Sequence, residues 1–109
     1  MNPPAPAPSP ATAAFVLTVG PDDAKFAACL AAVERARAAG CEIFLYCLDD
    51  GVAAIGDPRL AHADAPPFHL FGCAYAAEQR HLARRPEANW GGLKMLGDLI
   101  AHTASFASF

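Results

Sequence analysis

Three stretches of the chain hold apolar residues at mostly consecutive positions rather than at alternate ones. They read AAFVLTV from Ala13, CEIFLYCL from Cys41 and FHLF from Phe68. A strand that is apolar on both faces is typical of the interior of a parallel sheet, because helices cover such a sheet on both sides. The first two runs therefore predict two buried strands, and FHLF predicts a third strand.

Helical spacing appears between the first two runs, where apolar side chains recur at Phe26, Cys29, Leu30 and Val33. Asp22 or Asp23 is a suitable N-cap for this helix, and Gly40 is a suitable C-cap. Two further helices are predicted over AYAAEQRHLARR, residues 74–85, and over LKMLGDLIAH, residues 93–102. The closing TASFASF predicts a short strand.

Two segments carry no such pattern. Residues 1–12 (MNPPAPAPSPAT) hold five of the ten prolines and no charged residue. This composition cannot bury enough apolar surface to offset its chain entropy, so we expect a disordered Pro/Ala-rich tail. Residues 52–67 allow one helical turn and then become Pro-rich and loop-like. A single domain is therefore expected over residues 13–109.

The alternation of strands and helices predicts the fold class. It is α/β: one domain with a mostly parallel sheet of about four or five strands and helices on both faces. Right-handed crossovers then restrict the topology. If the strand order is flavodoxin-like, the first strand lies between the second and the third.

Charge and composition exclude several classes of partner. Eight Lys and Arg against eleven Asp and Glu leave a net charge of -3, whereas nucleic acids and anionic membranes require a basic surface. No apolar run reaches the roughly 18 residues of a membrane-spanning helix. No positively charged stretch precedes an apolar run near residue 1, so we expect no secretory signal and a cytoplasmic location. There, the four cysteines are expected to be thiols.

Candidate chemistry collects where the predicted strands end. Ligands of open parallel sheets bind beyond the carboxyl ends of the strands. Gly20, Asp49 and Gly72 lie at those ends and are the candidate substrate-binding residues. Cys73 lies there too, between a strand and a helix, where the helix N-terminus favours a thiolate. Cys73 is therefore the candidate nucleophile, although a small buried hydrophobe is the common alternative for a free cysteine.

The other cysteines and the histidines are weaker candidates. Cys29 and Cys41 are expected in the core. Cys47 is also expected to be buried, and a strand order of 2-1-3 would place it about 10 Å from Cys73, too far for a disulfide. His69 and His81 are each about 12–13 Å from Cys73 along the chain, so a Cys–His pair is not expected. We find no spacing typical of a metal, haem or nucleotide site and expect no cofactor.

The same stretches resemble the DsrE/DsrF/TusD-like sulfur-relay family, from Phe15 to Phe109. The matching pieces are FVLTVGPDD, EIFLYCLDDGV, FHLFGCAYAAEQR and GLKMLGDLIAHTASFASF. The resemblance implies a small α/β subunit that forms trimers or hexamers. It also implies that Cys73 corresponds to the cysteine that carries a persulfide. The Pro-rich leader and residues 57–67 depart from the family's pattern.

Two functions from different classes follow. The first is a sulfurtransferase-like carrier that accepts sulfane sulfur on Cys73 and exchanges it with a donor or acceptor protein. The second is a non-catalytic oligomeric assembly or small-ligand-binding subunit in which Cys73 is incidental. Fast alkylation of one cysteine would favour the first.

Overall fold

A computed structural model describes residues 11–60 and 68–109. Most of the predicted tail and the Pro-rich segment 61–67 lie outside the described residues. The first strand begins at Thr12, whose hydroxyl accepts a hydrogen bond from the backbone N–H of Ala104 (2.8 Å). The backbone carbonyl of Ala11 accepts another from the N–H of Glu42 (2.8 Å). The folded domain therefore includes residues 11 and 12.

Within the described residues, five strands and three α-helices follow one another, with a 3-10 helix after the second strand. In order, they are β1 (Thr12–Leu17), α1 (Ala24–Ala38), β2 (Glu42–Cys47), the 3-10 helix (Asp49–Ala54), β3 (Phe68–Cys73), α2 (Ala74–Gln79), β4 (Asn89–Gly91), α3 (Leu93–His102) and β5 (Ser105–Ser108). All strand pairs are parallel. The predicted α/β class is confirmed.

The strand order is β4-β3-β2-β1-β5. It differs from the flavodoxin-like order, because β2 lies between β1 and β3. Each of the first three strands pairs with the next one in the chain, and β5 returns to the free side of β1. The ends of β2 and β3 are consequently neighbours, with Cys47 opposite Gly72.

Alternation along the strands divides the side chains between two faces of the sheet. The α1 face carries Phe15, Leu17, Ile43, Leu45, Cys47, Leu70 and Gly72, and the α3 face carries Val16, Phe44, Tyr46, His69, Phe71 and Cys73. The connections from β1 to β4 run in one direction across the sheet, and right-handed crossovers therefore place α1, the 3-10 helix and α2 on the same face. The connection from β4 to β5 runs in the opposite direction, so α3 lies on the other face.

The two faces are covered unequally. Phe26, Cys29 and Val33 of α1 are buried on the α1 face. Asp23 caps α1 by accepting a hydrogen bond from the backbone N–H of Lys25 (2.8 Å). By contrast, α3 has no buried residue, so the α3 face is the more open side of the sheet.

Two elements near the predicted third strand differ from expectation. The helix predicted over residues 74–85 ends at Gln79, because Arg80 leaves helical geometry and His81 adopts a left-handed φ of 54°. The sequence EANWGG, residues 87–92, predicts a connection, yet Asn89–Gly91 form β4 at the edge of the sheet. A three-residue strand is too short to show a period-2 pattern.

Candidate functional site

Cys73 ends β3 and is the N-cap residue of α2. Its sulfur accepts a hydrogen bond from the backbone N–H of Ala76 at 3.5 Å. The residue is only 4% exposed. The thiol therefore lies where the sequence predicts it, beyond a parallel strand and against the first turn of a helix, but it is shielded from solvent.

A tyrosine from the neighbouring strand accompanies this thiol. Tyr46 is fully buried, and its hydroxyl donates a hydrogen bond to the Gly92 carbonyl (3.1 Å), with the Gly91 carbonyl at 3.5 Å. Burial raises the pKa of Tyr46 well above its usual range, and charge and hydrogen bonding from the adjacent Cys73 thiol raise it further. Tyr46 thus remains a neutral hydroxyl beside the sulfur.

Sequence reasoning missed Tyr46. The signal was present, since Tyr46 is the one hydroxyl-bearing side chain in the run EIFLYCL. A buried tyrosine normally requires a hydrogen-bond partner for its hydroxyl. Its partner could not be identified without the strand order, because a 2-1-3 sheet would separate β2 from β3.

Cys47 lies on the strand next to Cys73 but points to the other face of the sheet. Its register partner is Gly72, so the side chain of Cys73, one position further, projects oppositely. Burial and the nearby Cys29 raise the pKa of Cys47 well above its usual range, and burial raises that of Cys29 to about 11. Both thiols therefore stay protonated at neutral pH. The sheet itself separates Cys47 from Cys73.

Gly72 serves the packing of the α1 face. A methyl group at this position would lie 2.6 Å from Cζ3 of Trp90 and 2.8 Å from Cδ1 of Ile55. The Trp90 ring is fixed there by a hydrogen bond from its indole N–H to the Arg85 carbonyl (2.7 Å). The side chains of Trp90 and Ile55 thus pack directly against the Gly72 backbone, which only glycine permits. A contact between Gly72 and a substrate stays a prediction.

Gly20 lines an open cleft of about 500 Å³ at the ends of β1 and β2. The described residues around it are Gly20, Pro21, Asp22, Asp23, Asp50 and Ala53. Asp49 is exposed beside it, with a left-handed φ of 51°. Gly20 and Asp49 therefore lie at this cleft, whereas Gly72 and Cys73 lie at the end of β3, with the Cys73 thiol on the α3 face. Their role in binding stays a prediction.

An ion pair connects the cleft to the helix that follows Cys73. The Arg80 guanidinium Nε donates to Asp50 Oδ1 (2.9 Å), and Nη1 donates to the Ala76 carbonyl (3.3 Å). The Asp50 side chain is 71% exposed, so this pair contributes at most about 1 kcal/mol. It orients Arg80 at the cleft more than it stabilises the fold.

Neither His69 nor His81 forms a pair with Cys73. His69 lies at the far end of β3, where its Nε2 is 2.9 Å from Oε2 of Glu42 and its ring stacks on Phe44 at 4.6 Å. His81 is exposed beyond the end of α2. As the sequence predicts, neither is placed as a base for the thiol.

Within the described ranges, no three His, Cys, Asp or Glu side chains form a group that could hold a metal ion. Across the same residues, no helix is both long and apolar enough to cross a membrane.

Comparison with known proteins supports the fold. No family model matches the chain, and no curated protein matches it. Among solved structures, the ychN protein from E. coli superposes with a TM-score of 0.75 over 91% of this chain and 99% of that one, at 15% identity. The ychN protein has a DsrE-like fold. At this identity the likeness concerns the fold alone, and it agrees with the fold that the sequence resemblance implies.

Proposed function

We propose that this protein is a sulfur carrier that holds sulfane sulfur as a persulfide on Cys73. One observation supports this most: the Cys73 sulfur is shielded from solvent and accepts a hydrogen bond from a backbone N–H of α2. The Tyr46 hydroxyl lies beside it, 3.5 Å from the carbonyl of Gly91, which is the register partner of Cys73. Hydrogen-bond donors stabilise a thiolate or a persulfide anion, and sulfur transfer needs no general acid because the leaving group departs as a thiolate. The DsrE-like fold is compatible with this role.

The transfer step is a thiol exchange at sulfur. The Cys73 thiolate attacks the outer sulfur of a donor persulfide, R–S–SH, and forms a new S–S bond. The donor's S–S bond breaks, and R–S⁻ leaves with the electron pair. Delivery is the same step reversed: an acceptor thiolate attacks the outer sulfur on Cys73, and Cys73 leaves as a thiolate. No cofactor is required, and a reducing compartment such as the cytoplasm would keep the thiol available.

A second candidate is a non-catalytic subunit that binds a small ligand. Two observations favour it: Cys73 is almost fully covered, and the open cleft at Gly20 and Asp50 lies apart from the thiol. In that case the ligand would bind in the cleft, and the Cys73 side chain would only contribute to the packing of the core.

Sulfur uptake distinguishes the two functions. After treatment with inorganic polysulfide, mass spectrometry of the wild-type peptides is expected to show one added sulfur atom on Cys73, and Cys73→Ser is expected to lose it. Cys41→Ser is the matched control, because Cys41 is a half-exposed thiol at the opposite end of the sheet. Uptake by Cys73→Ser at the wild-type level would refute the carrier role.

We also propose that copies of the chain assemble through α3, as trimers or hexamers. Leu93 and Ile100 are 68% and 46% exposed and lie seven positions apart, which places them on one helix face. Phe106 of the adjacent β5 is 44% exposed. Apolar surface of this kind, on the thinly covered side of the sheet, is typical of an interface.

Light scattering at micromolar concentration is expected to give three or six times 11.4 kDa. Ile100→Glu is expected to reduce this to the monomer mass, because it places a charge in the apolar contact. Leu82→Glu is the control, since Leu82 is 40% exposed but lies beyond α2. A monomeric wild type would exclude assembly through α3.

A further inference from the structure

The Tyr46 hydroxyl is the polar group that β2 brings to the Cys73 thiol. The side chain is fully buried among apolar residues of the α3 face. Phenylalanine would fill the same space without a hydroxyl that must find a partner. The hydroxyl therefore has to be accounted for by its neighbours: the Gly92 carbonyl, 3.1 Å away, and the Cys73 thiol. Cys73 lies on the same face of the adjacent strand, and its register partner is Gly91, whose carbonyl is 3.5 Å from the hydroxyl.

These two partners differ in what they can offer to the hydroxyl. A carbonyl only accepts, so the hydroxyl is the donor in its bond to Gly92. Its oxygen is then free to accept the weak hydrogen bond of a neutral Cys73 S–H. When the thiol loses its proton, the sulfur can only accept, and the hydroxyl hydrogen can turn towards it.

The surroundings keep the free-energy cost small when the hydroxyl changes its acceptor from the Gly92 carbonyl to the sulfur. Gly92 is exposed, so water can bond to its carbonyl when the hydroxyl turns away. The sulfur, by contrast, is shielded from water, and it obtains its donors from the protein. A charge-assisted hydrogen bond to the sulfur thus replaces a neutral one to a carbonyl that water can reach.

We propose that Tyr46 is a catalytic residue of the Cys73 site, which donates its hydroxyl hydrogen to the sulfur whenever the sulfur is a thiolate. This inference rests on the carrier function proposed above. Cys73 is a thiolate both when it attacks a donor persulfide and when it leaves an acceptor persulfide. One hydrogen bond therefore assists uptake and delivery alike, while the hydroxyl keeps its proton throughout.

The test compares the pH dependence of Cys73 alkylation by iodoacetamide, followed on the Cys73 peptide by mass spectrometry. In Tyr46→Phe, the pH of half-maximal rate is expected to rise by about one unit, which corresponds to a tenfold smaller thiolate fraction below the midpoint. Tyr75→Phe makes the same change at a side chain that is 69% exposed. It is expected to leave the midpoint unchanged.

A second measurement covers the case in which Tyr46→Phe does not fold. In the Tyr75→Phe background Tyr46 is the remaining tyrosine, and biosynthetic incorporation of 3-fluorotyrosine makes its hydroxyl a stronger donor. The alkylation midpoint is then expected to fall. A midpoint that stays at the unfluorinated value would overturn the inference.

Polysulfide labelling of the same samples separates this inference from the carrier function. If wild-type Cys73 takes up no sulfur, the carrier function fails, and the role of Tyr46 in it fails too. If Cys73 is labelled but the midpoints of wild type and Tyr46→Phe coincide, the carrier function stands, and the role of Tyr46 alone is overturned.

Discussion

Replacement of Gly51 by alanine is expected to lower the free energy of unfolding by about 3 kcal/mol. Gly51 is buried in the 3-10 helix, and a methyl group there would overlap the backbone carbonyl oxygen of Leu17 at the end of β1. That carbonyl also accepts a hydrogen bond from the backbone N–H of Leu48 (2.9 Å). Since backbone cannot rotate aside as a side chain can, the 3-10 helix must move away from the sheet.

Gly20→Ala is the matched control for this prediction. A methyl group at Gly20 would have the Asp50 carbonyl oxygen at 3.8 Å as its nearest neighbour, an ordinary contact. Its effect is expected to stay within about 0.5 kcal/mol. Urea unfolding followed by the fluorescence of Trp90 measures both variants. Equal midpoints and slopes for the two would contradict the proposed overlap.

Phe26→Ala is expected to cost about 4 kcal/mol of stability. The Phe26 ring is fully buried beneath the sheet and is also covered by the Arg59 guanidinium, 4.4 Å from the ring centroid. Arg59 is fixed there by Asp57 (3.0 Å) and by the Pro21 carbonyl (2.9 Å). Truncation of Phe26 therefore leaves a cavity, because Arg59 is held in place and cannot easily move into the vacated space.

Leu30→Ala, one turn later on α1, provides the comparison for Phe26→Ala. Leu30 is only half-buried, so a loss of about 2 kcal/mol is expected. Both variants introduce alanine into the same helix, so helix propensity contributes little to the difference. A loss for Phe26→Ala no greater than that for Leu30→Ala would show that the Phe26 pocket collapses after truncation.

The continuous apolar runs were sufficient to predict β1 and β2, because a strand that is apolar on both faces is typical of the interior of a parallel sheet. The position of Cys73 followed from the same pattern. The strand order did not, since no local feature of β2 specifies whether its second neighbour is β3 or another strand. Two features of the site depend on that order: Tyr46 lies beside Cys73, and Cys47 and Cys73 lie on opposite faces of the sheet. Both were therefore known only once the fold was known.

The pairing of β5 with β1 has a consequence for synthesis on the ribosome. The first four strands can pair in the order in which they emerge, each on its predecessor, but β1 has its second partner only when residues 105–108 are available. Until then, the backbone groups of Ala13–Val16 that bond to β5 in the folded protein lie unpaired along an apolar strand. Unpaired edges of this kind recruit strands of other chains. A ribosome that stalls between β4 and β5 therefore leaves a nascent chain that is prone to aggregate through β1.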